Sequence, residues 1–534
     1  MNTSPITHKA GRRAWLLSLL VAMSALSAAE TTAAGNAVPK VVVNILIDQL
    51  RSDYLDAFMP LYAEGGFKKL LAEGRVYRQA EYPLLHPDRA SAAATLATGT
   101  SPSNHGIVGL RWLDRTTLRP LFCVDDPNCK GLPAGQGLSP CHLGVSTTGD
   151  ELKIASEGKA LVYSIAPFSD AAILGGGHSA DGVVWIDDRT GMWSSSSYYG
   201  GLPVWANVRN RFHNLSDRLK STTWKPSSEL VGNFSYFLSG GMKRPFAHTF
   251  KGDDRFVRFK TSGLVNEEVT ALAKDCLSNT LIGQDAISDY LNLTFYAAGF
   301  NHATAAAAPM ELQDTYVRLD AALADLIAAV EQKVGRENAL FVLTSTGYTD
   351  ETDADLSAYR IPTGLFDMQK ASALLDMYLS ALYGQGRYVE AVFGTQVYLN
   401  HKLLEEKSVA LSDVLLHTQD FLLQLAGVKD VYTSQRLLQG AWTPGISRIR
   451  NGYNVRCSGD LTIEIAPGWH YVNSGQREKQ YVRESYIPFP IIFYGYGLPA
   501  EEIGTPVTID YIAPTLTKAM RIRAPNACAT APLF

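Results

Sequence analysis

Asp48, Ser91, His302 and the acidic group Asp350, Glu351 and Asp353 are the residues of this chain whose types suit hydrolytic chemistry. A carboxylate, a hydroxyl and an imidazole brought to one point can hold a metal ion or move protons during ester hydrolysis. Each also has a plainer use. A single histidine in a loop is more often structural than ligating. The acidic group has no His or Cys close by and reads as a solvated turn or at most a weak Ca²⁺ site. Cys123, Cys129 and Cys141 fall together in a Pro/Gly-rich stretch, while Cys276, Cys457 and Cys528 are scattered. Clustered cysteines suit disulfides where a chain is exported, with the pairing left open. A zinc site from the same three lacks both the CxxC spacing and a histidine in register.

The elements that would position these groups follow from the hydrophobic pattern. The run 41–47 is apolar and mostly β-branched, as in a strand buried on both faces, so Asp48 lies at a strand's carboxyl end. Helices are predicted over 65–73 and 90–97, the second stopped by Thr98-Gly99-Thr100-Ser101-Pro102. Strands follow at 291–296, 339–344 and 490–494, with an amphipathic helix over 314–334 that sets Leu319, Leu323, Leu326 and Val330 on one face. Strands alternating with helices predict an α/β fold, a mostly parallel central sheet with helices on both faces. Ligands of such sheets bind beyond the carboxyl ends of the strands. The stretch 139–281, rich in aromatics, Gly and Ser, breaks the alternation and is assigned to a cap inserted into a core of 40–138 and 282–534.

With 534 residues, 46% hydrophobic and 19% charged, the chain has the composition of a folded protein of more than one ordinary core. A net charge of −4, with no long basic run, makes nucleic acid an unsuitable partner. Lys9, Arg12 and Arg13 precede an apolar run from Ala14 to Ala28 that ends on small residues, which reads as a signal peptide over 1–29 followed by a linker over 30–39. The expected destination is the periplasm, the outer membrane or the exterior, with no membrane span left after cleavage.

Several blocks in order carry a family resemblance. Ile45-Leu46-Ile47-Asp48-Gln49-Leu50-Arg51-Ser52-Asp53-Tyr54-Leu55 resembles the opening of the type I phosphodiesterase/nucleotide pyrophosphatase branch of the alkaline-phosphatase superfamily, above all the bacterial phosphate-irrepressible alkaline phosphatases. Thr95-Leu96-Ala97-Thr98-Gly99 with His105-Gly106, then Gly176-Gly177-His178, Trp185-Ile186-Asp187-Asp188-Arg189 and Phe493-Tyr494-Gly495-Tyr496-Gly497 continue it. The resemblance implies phosphoester hydrolysis by two zinc ions on three aspartates and three histidines, with a Thr or Ser nucleophile.

Residue by residue, the chain departs from that pattern. Asp48 matches the first ligand; the nucleophile position falls on Arg89, which cannot lose its proton. Further ligand positions fall on Gly299, Ala303, Thr346, Gly347 and Lys479, and the oxygen-gripping Asn, Lys and Arg correspond to Leu110, Phe168 and Asp170. Arg89 is expected to fill the space of a zinc ion and pair with Asp48, and Arg89 with Lys479 to balance Asp48 and Asp170. His105 and His178 are expected to fix loops by hydrogen bonding. The expectation is therefore an exported pseudoenzyme without cofactor, serving as a binding or assembly protein of the cell envelope, with protein partners or an anionic ligand in the old pocket. The alternative is an active, zinc-dependent phosphoesterase with a relocated site drawing on Asp48, Ser91, His302 and Asp350 to Asp353.

Overall fold

The computed structural model of the chain describes residues 1–2, 38–133, 135–232, 245–350, 360–440, 443–472 and 487–534. The predicted leader lies outside these residues apart from Met1 and Asn2, as do Glu351, Asp353 and Lys479.

Strand β1 (Val41–Asp48) is buried over its whole length because it runs between two parallel neighbours and has both faces covered. Along the chain follow β2 (Arg75–Glu81), helix α1 (Arg89–Thr98), β3 (Val162–Ala166), β4 (Gly182–Ile186), β5 (Trp193–Ser196), α2 (Arg255–Lys260), β6 (Asp289–Tyr296), α3 (Pro309–Val334), β7 (Ala339–Ser345) and β8 (Phe489–Gly495). The sheet order is Glu501–Ile503, β2, β8, β7, β1, β6, β3, β4, β5 and Gly131–Leu132. The run from β7 to β4 is parallel throughout. β8 turns antiparallel against β7, and β5 against β4.

Alternate side chains of β1 enter two cores, as the twofold period of a strand requires. Val41, Val43, Ile45 and Ile47 pack with Leu319, Leu323, Leu326 and Val330 of α3 on one face. Val42 and Leu46 pack with Ala90, Ala92 and Ala93 of α1 on the other. The helices thus pin the strand whose last residue is Asp48, and five parallel strands end on the same side of the sheet.

The cap lies elsewhere than predicted. Residues 139–281 supply β3, β4 and β5 to the main sheet. Their strands are short, and in Val162-Tyr163-Ser164-Ile165-Ala166 a serine interrupts the apolar run, so the pattern is weak against its Gly- and Ser-rich surroundings. β2 also escapes pattern reading, since Arg-Val-Tyr-Arg-Gln-Ala-Glu is largely polar. The separate lobe is instead built from residues 364–472. An antiparallel sheet ordered Val389–Phe393, Gln396–Leu399, Leu461–Ile465 and Val428–Thr433 packs there with Met368–Tyr383 and Leu411–Leu422 around its own core.

All six cysteines are thiols in this structure. Cys129 Sγ lies 3.2 Å from Asp126 Oδ2 and Cys141 Sγ 3.4 Å from the Asp125 carbonyl. No helix among the described residues is long and apolar enough to cross a membrane.

Candidate functional site

Helix α1 begins in a capping box: Asp88 Oδ1 accepts from the Ser91 amide at 2.9 Å, and Ser91 Oγ accepts from the Asp88 amide at 2.9 Å. Asp88 Oδ2 also accepts from the Leu110 amide at 2.5 Å, tying the loop after the helix to its start. Arg89 is therefore the first helical residue, and its side chain reaches toward the end of β1. Its Nε and Nη2 donate to the two oxygens of Asp170 at 2.8 and 3.1 Å, and Nη1 donates to Asp48 Oδ2 at 3.3 Å. The guanidinium lies over Phe168, 3.7 Å from the ring centroid. A planar fork that can grip one carboxylate, touch a second and stack on a ring is specific to arginine.

Burial pushes the Asp48 carboxyl above its ordinary range; Arg89 pulls it back, Asp350 adds to the rise, and hydrogen bonds from Tyr348 and Thr346 oppose it. Burial likewise works against charge on Arg89, but Asp170 and Asp48 outweigh it and hold the guanidinium firmly protonated.

A second set of contacts leads outward from Asp48. Thr346 Oγ1 donates to Asp48 Oδ1 at 3.1 Å and accepts from the Gln49 amide at 2.8 Å. Gln49, in the left-handed region at φ +62°, makes two side-chain hydrogen bonds of 2.9 Å with Asp350. Asp350 Oδ2 then accepts from His302 Nδ1 at 3.0 Å. Residues from the ends of β1, β6 and β7 are thereby joined into one polar path from Asp48 to His302. The remaining edge is the cleft beside Arg89, of about 670 Å³, lined among others by Phe168, Asp170, Asp188 and Lys260.

The other sequence-predicted positions are shaped by the backbone. A Cβ on Gly299 would stand 2.0 Å from the Ala303 carbonyl, and Ala303 itself closes the turn through its amide to Phe300. Gly347 sits at φ +72° with the Tyr82 ring 2.3 Å from where a Cβ would be. Leu110 lines the cleft and contributes its amide. Ser91 is buried in the capping box and offers no nucleophile. His105 is fully buried, which lowers its pKa to about 3; Nδ1 accepts from the Ile107 amide and Nε2 bonds Thr95, so it fixes its loop. His178 does the same through Asp150 at 2.9 Å and the Leu143 carbonyl at 3.0 Å.

These donors do not suit a pair of zinc ions. Among the described residues no group of three or more His, Cys, Asp or Glu is arranged to hold a metal. Asp48 and Asp170 already face a guanidinium, and Asp350 is held by Gln49 and His302. Sequence reading also missed three contributors: Gln49, whose positive φ leaves no trace in sequence; Thr346 as a bridging hydroxyl; and Lys260, which arrives from α2 in the stretch assigned to the cap.

Comparison with known proteins adds the family context. Residues 42–486 match the family "Type I phosphodiesterase / nucleotide pyrophosphatase". The chain is 28% identical over 541 residues to alkaline phosphatase PafA of Elizabethkingia meningoseptica, covering 97% of this chain and 98% of that one. Alkaline phosphatase PhoV of Synechococcus elongatus is 29% identical over 515 residues, 91% of each. The crystal structure of wild-type PafA superposes with a TM-score of 0.80 at 26% identity, covering 93% of this chain and 98% of that one. The similarity to named phosphatases runs nearly the full length of both chains. It overturns the expectations of a non-catalytic protein and of no cofactor, and brings forward the alternative, a metal-dependent phosphoesterase with a relocated site.

Proposed function

This chain belongs to the type I phosphodiesterase/nucleotide pyrophosphatase family, and on that premise we propose that it hydrolyses phosphoric esters from a site rebuilt around Asp48, Arg89, Asp350 and His302. The observation that carries the proposal is the hydrogen-bonded path that links His302 and Asp350, from two separate loops, to Asp48 at the carboxyl end of β1. That is the side of a parallel sheet on which ligands bind.

In this arrangement Asp350 fixes the tautomer of His302. With Nδ1–H donated to the carboxylate, Nε2 is the acceptor nitrogen of the ring, the tautomer that a general base uses. Arg89 supplies permanent positive charge at the cleft for the phosphoryl oxygens, and its two aspartates hold it in place. Full-length likeness to named alkaline phosphatases is the reason that divalent cations enter the test, since the described side chains themselves form no metal-holding group. Export through the N-terminal leader and contacts with envelope proteins complete the proposal.

The test is turnover of p-nitrophenyl phosphate and bis(p-nitrophenyl) phosphate by protein purified without chelator, with metal content measured in parallel and Zn²⁺, Mn²⁺ or Ca²⁺ added back. Turnover that falls at least about tenfold in Asp48→Asn and His302→Ala is expected. Absence of turnover of both esters with every cation would refute the proposal.

A further inference from the structure

Two cations share one aromatic ring in the cleft. Arg89 stacks 3.7 Å from the Phe168 centroid, and Lys260 Nζ sits 4.7 Å from the same centroid. Both are largely enclosed, with side chains 15% and 6% exposed, and both line the cavity of about 670 Å³. They come from separate elements distant in sequence, Arg89 from the start of α1 and Lys260 from the last turn of α2. An ammonium taken out of water needs partners in place of its hydration, and here these are the ring, the Ile186 carbonyl at 3.4 Å and the Asp188 carboxylate.

The two counter-ions differ in kind. Asp170 is buried and grips Arg89 through two bonds, whereas the Asp188 side chain is 58% exposed at the cleft mouth. The other carboxylates of the lining are engaged by backbone: Asp187 accepts from the Arg189 and Thr190 amides, and Asp125 from the Phe122 amide. Lys260 is thus the cation whose partner an incoming anion can replace at low cost, since an exposed carboxylate returns to water. Phe122, Leu138 and Trp185 give the same cavity apolar surface.

We propose that Lys260 and Arg89, on the Phe168 ring, form an oxyanion subsite that takes the phosphoryl group of an ester with an apolar organic part, Asp188 acting as a displaceable gate. The proposal rests on the phosphoester reading and names the substrate class of that same cleft.

Calorimetric titration with inorganic phosphate and with phenylphosphonate, which is not hydrolysed, tests it. The parent is expected to bind phenylphosphonate more tightly than phosphate. Lys260→Gln should weaken both about tenfold, the value of one charge-assisted hydrogen bond. Asp188→Asn, at a side chain 58% exposed and keeping an amide oxygen that Lys260 can still reach, should tighten both by about threefold or more by removing the competing charge, with a thermal melt of the variant run beside the titration. Unchanged or weaker binding in Asp188→Asn overturns the proposal, and so does parental binding in Lys260→Gln. If Lys260→Gln does not fold, Asp188→Asn decides alone. Binding that responds to both residues without ester turnover would retain the subsite and remove the hydrolase reading. Turnover with binding indifferent to both would do the reverse.

Discussion

Asp170 receives Arg89 side-on, Nε and Nη2 donating to its two oxygens at 2.8 and 3.1 Å, which leaves Nη1 to reach Asp48. One guanidinium therefore serves two carboxylates that are 2% and 0% exposed. Removing it strands both charges in the protein, and stranding one partner of a buried pair is far more costly than the pair is stabilising. Arg89→Ala should lower unfolding free energy by about 3–5 kcal/mol in urea titration. Arg89→Lys should recover only part, because an ammonium cannot reproduce the fork. An unchanged urea midpoint in Arg89→Ala would show that the pair is not a structural element.

The orientation of Arg89 depends on the cap before it. Asp88 accepts from the Ser91 amide and, through its other oxygen, from the Leu110 amide. Asp88→Ala should cost about 1–2 kcal/mol, the upper range for losing a helix cap. Asp88→Asn, which keeps one acceptor, should cost less. Equal losses in the two variants would argue against the capping role.

Much of this is legible in the sequence. The run ending in Asp48 and the leucine face of α3 have strong periodicity, and both stand where the pattern puts them. The charge relation of Arg89 to Asp48 and Asp170 is readable because buried charges must be balanced. The placement of 139–281 is not, since β3 and β4 are five residues each and carry too few positions to show a period. Nor is the path from Asp48 to His302, which depends on the left-handed backbone of Gln49 and His302. Lys260 is hidden for a related reason, as only the tertiary fold brings α2 to the Phe168 ring.

His178 and Asp150 make a pH-dependent contribution whose sign is fixed by two opposite shifts. The hydrogen bond that His178 donates to Asp150 raises the histidine above its ordinary 6.5, against burial. Burial works to raise Asp150, but His178 and Thr147 outweigh it and hold the carboxyl below 3.8. The raised histidine stabilises fully below pH 6.5, and that part is lost as pH climbs through its folded pKa. The depressed aspartate stabilises above 3.8, and that part is lost as pH falls through its folded value. The pair is thus strongest between about pH 4 and 6.5. His178→Ala should destabilise more at about pH 5.5 than at about pH 9 in parallel thermal melts, and a pH-independent difference would contradict the charged pairing.

Gly347 tests how far the site has been reshaped around its present residues. Its φ of +72° disfavours any side chain, and the Tyr82 ring stands 2.3 Å from the point a Cβ would occupy. Tyr82 cannot easily withdraw, because its hydroxyl donates to the Ser345 carbonyl at 2.9 Å and its ring packs on Phe489. Gly347→Ala should therefore cost about 1–3 kcal/mol from backbone strain, before any clash is counted. Gly347→His should cost more still. In the double variant with Tyr82→Ala the added penalty of the larger side chain should shrink, since the obstructing ring is gone, while the φ strain remains. Full tolerance of Gly347→His in the presence of Tyr82, measured by urea midpoint, would mean that the loop after β7 can rearrange to admit a ligand-bearing side chain next to Asp48.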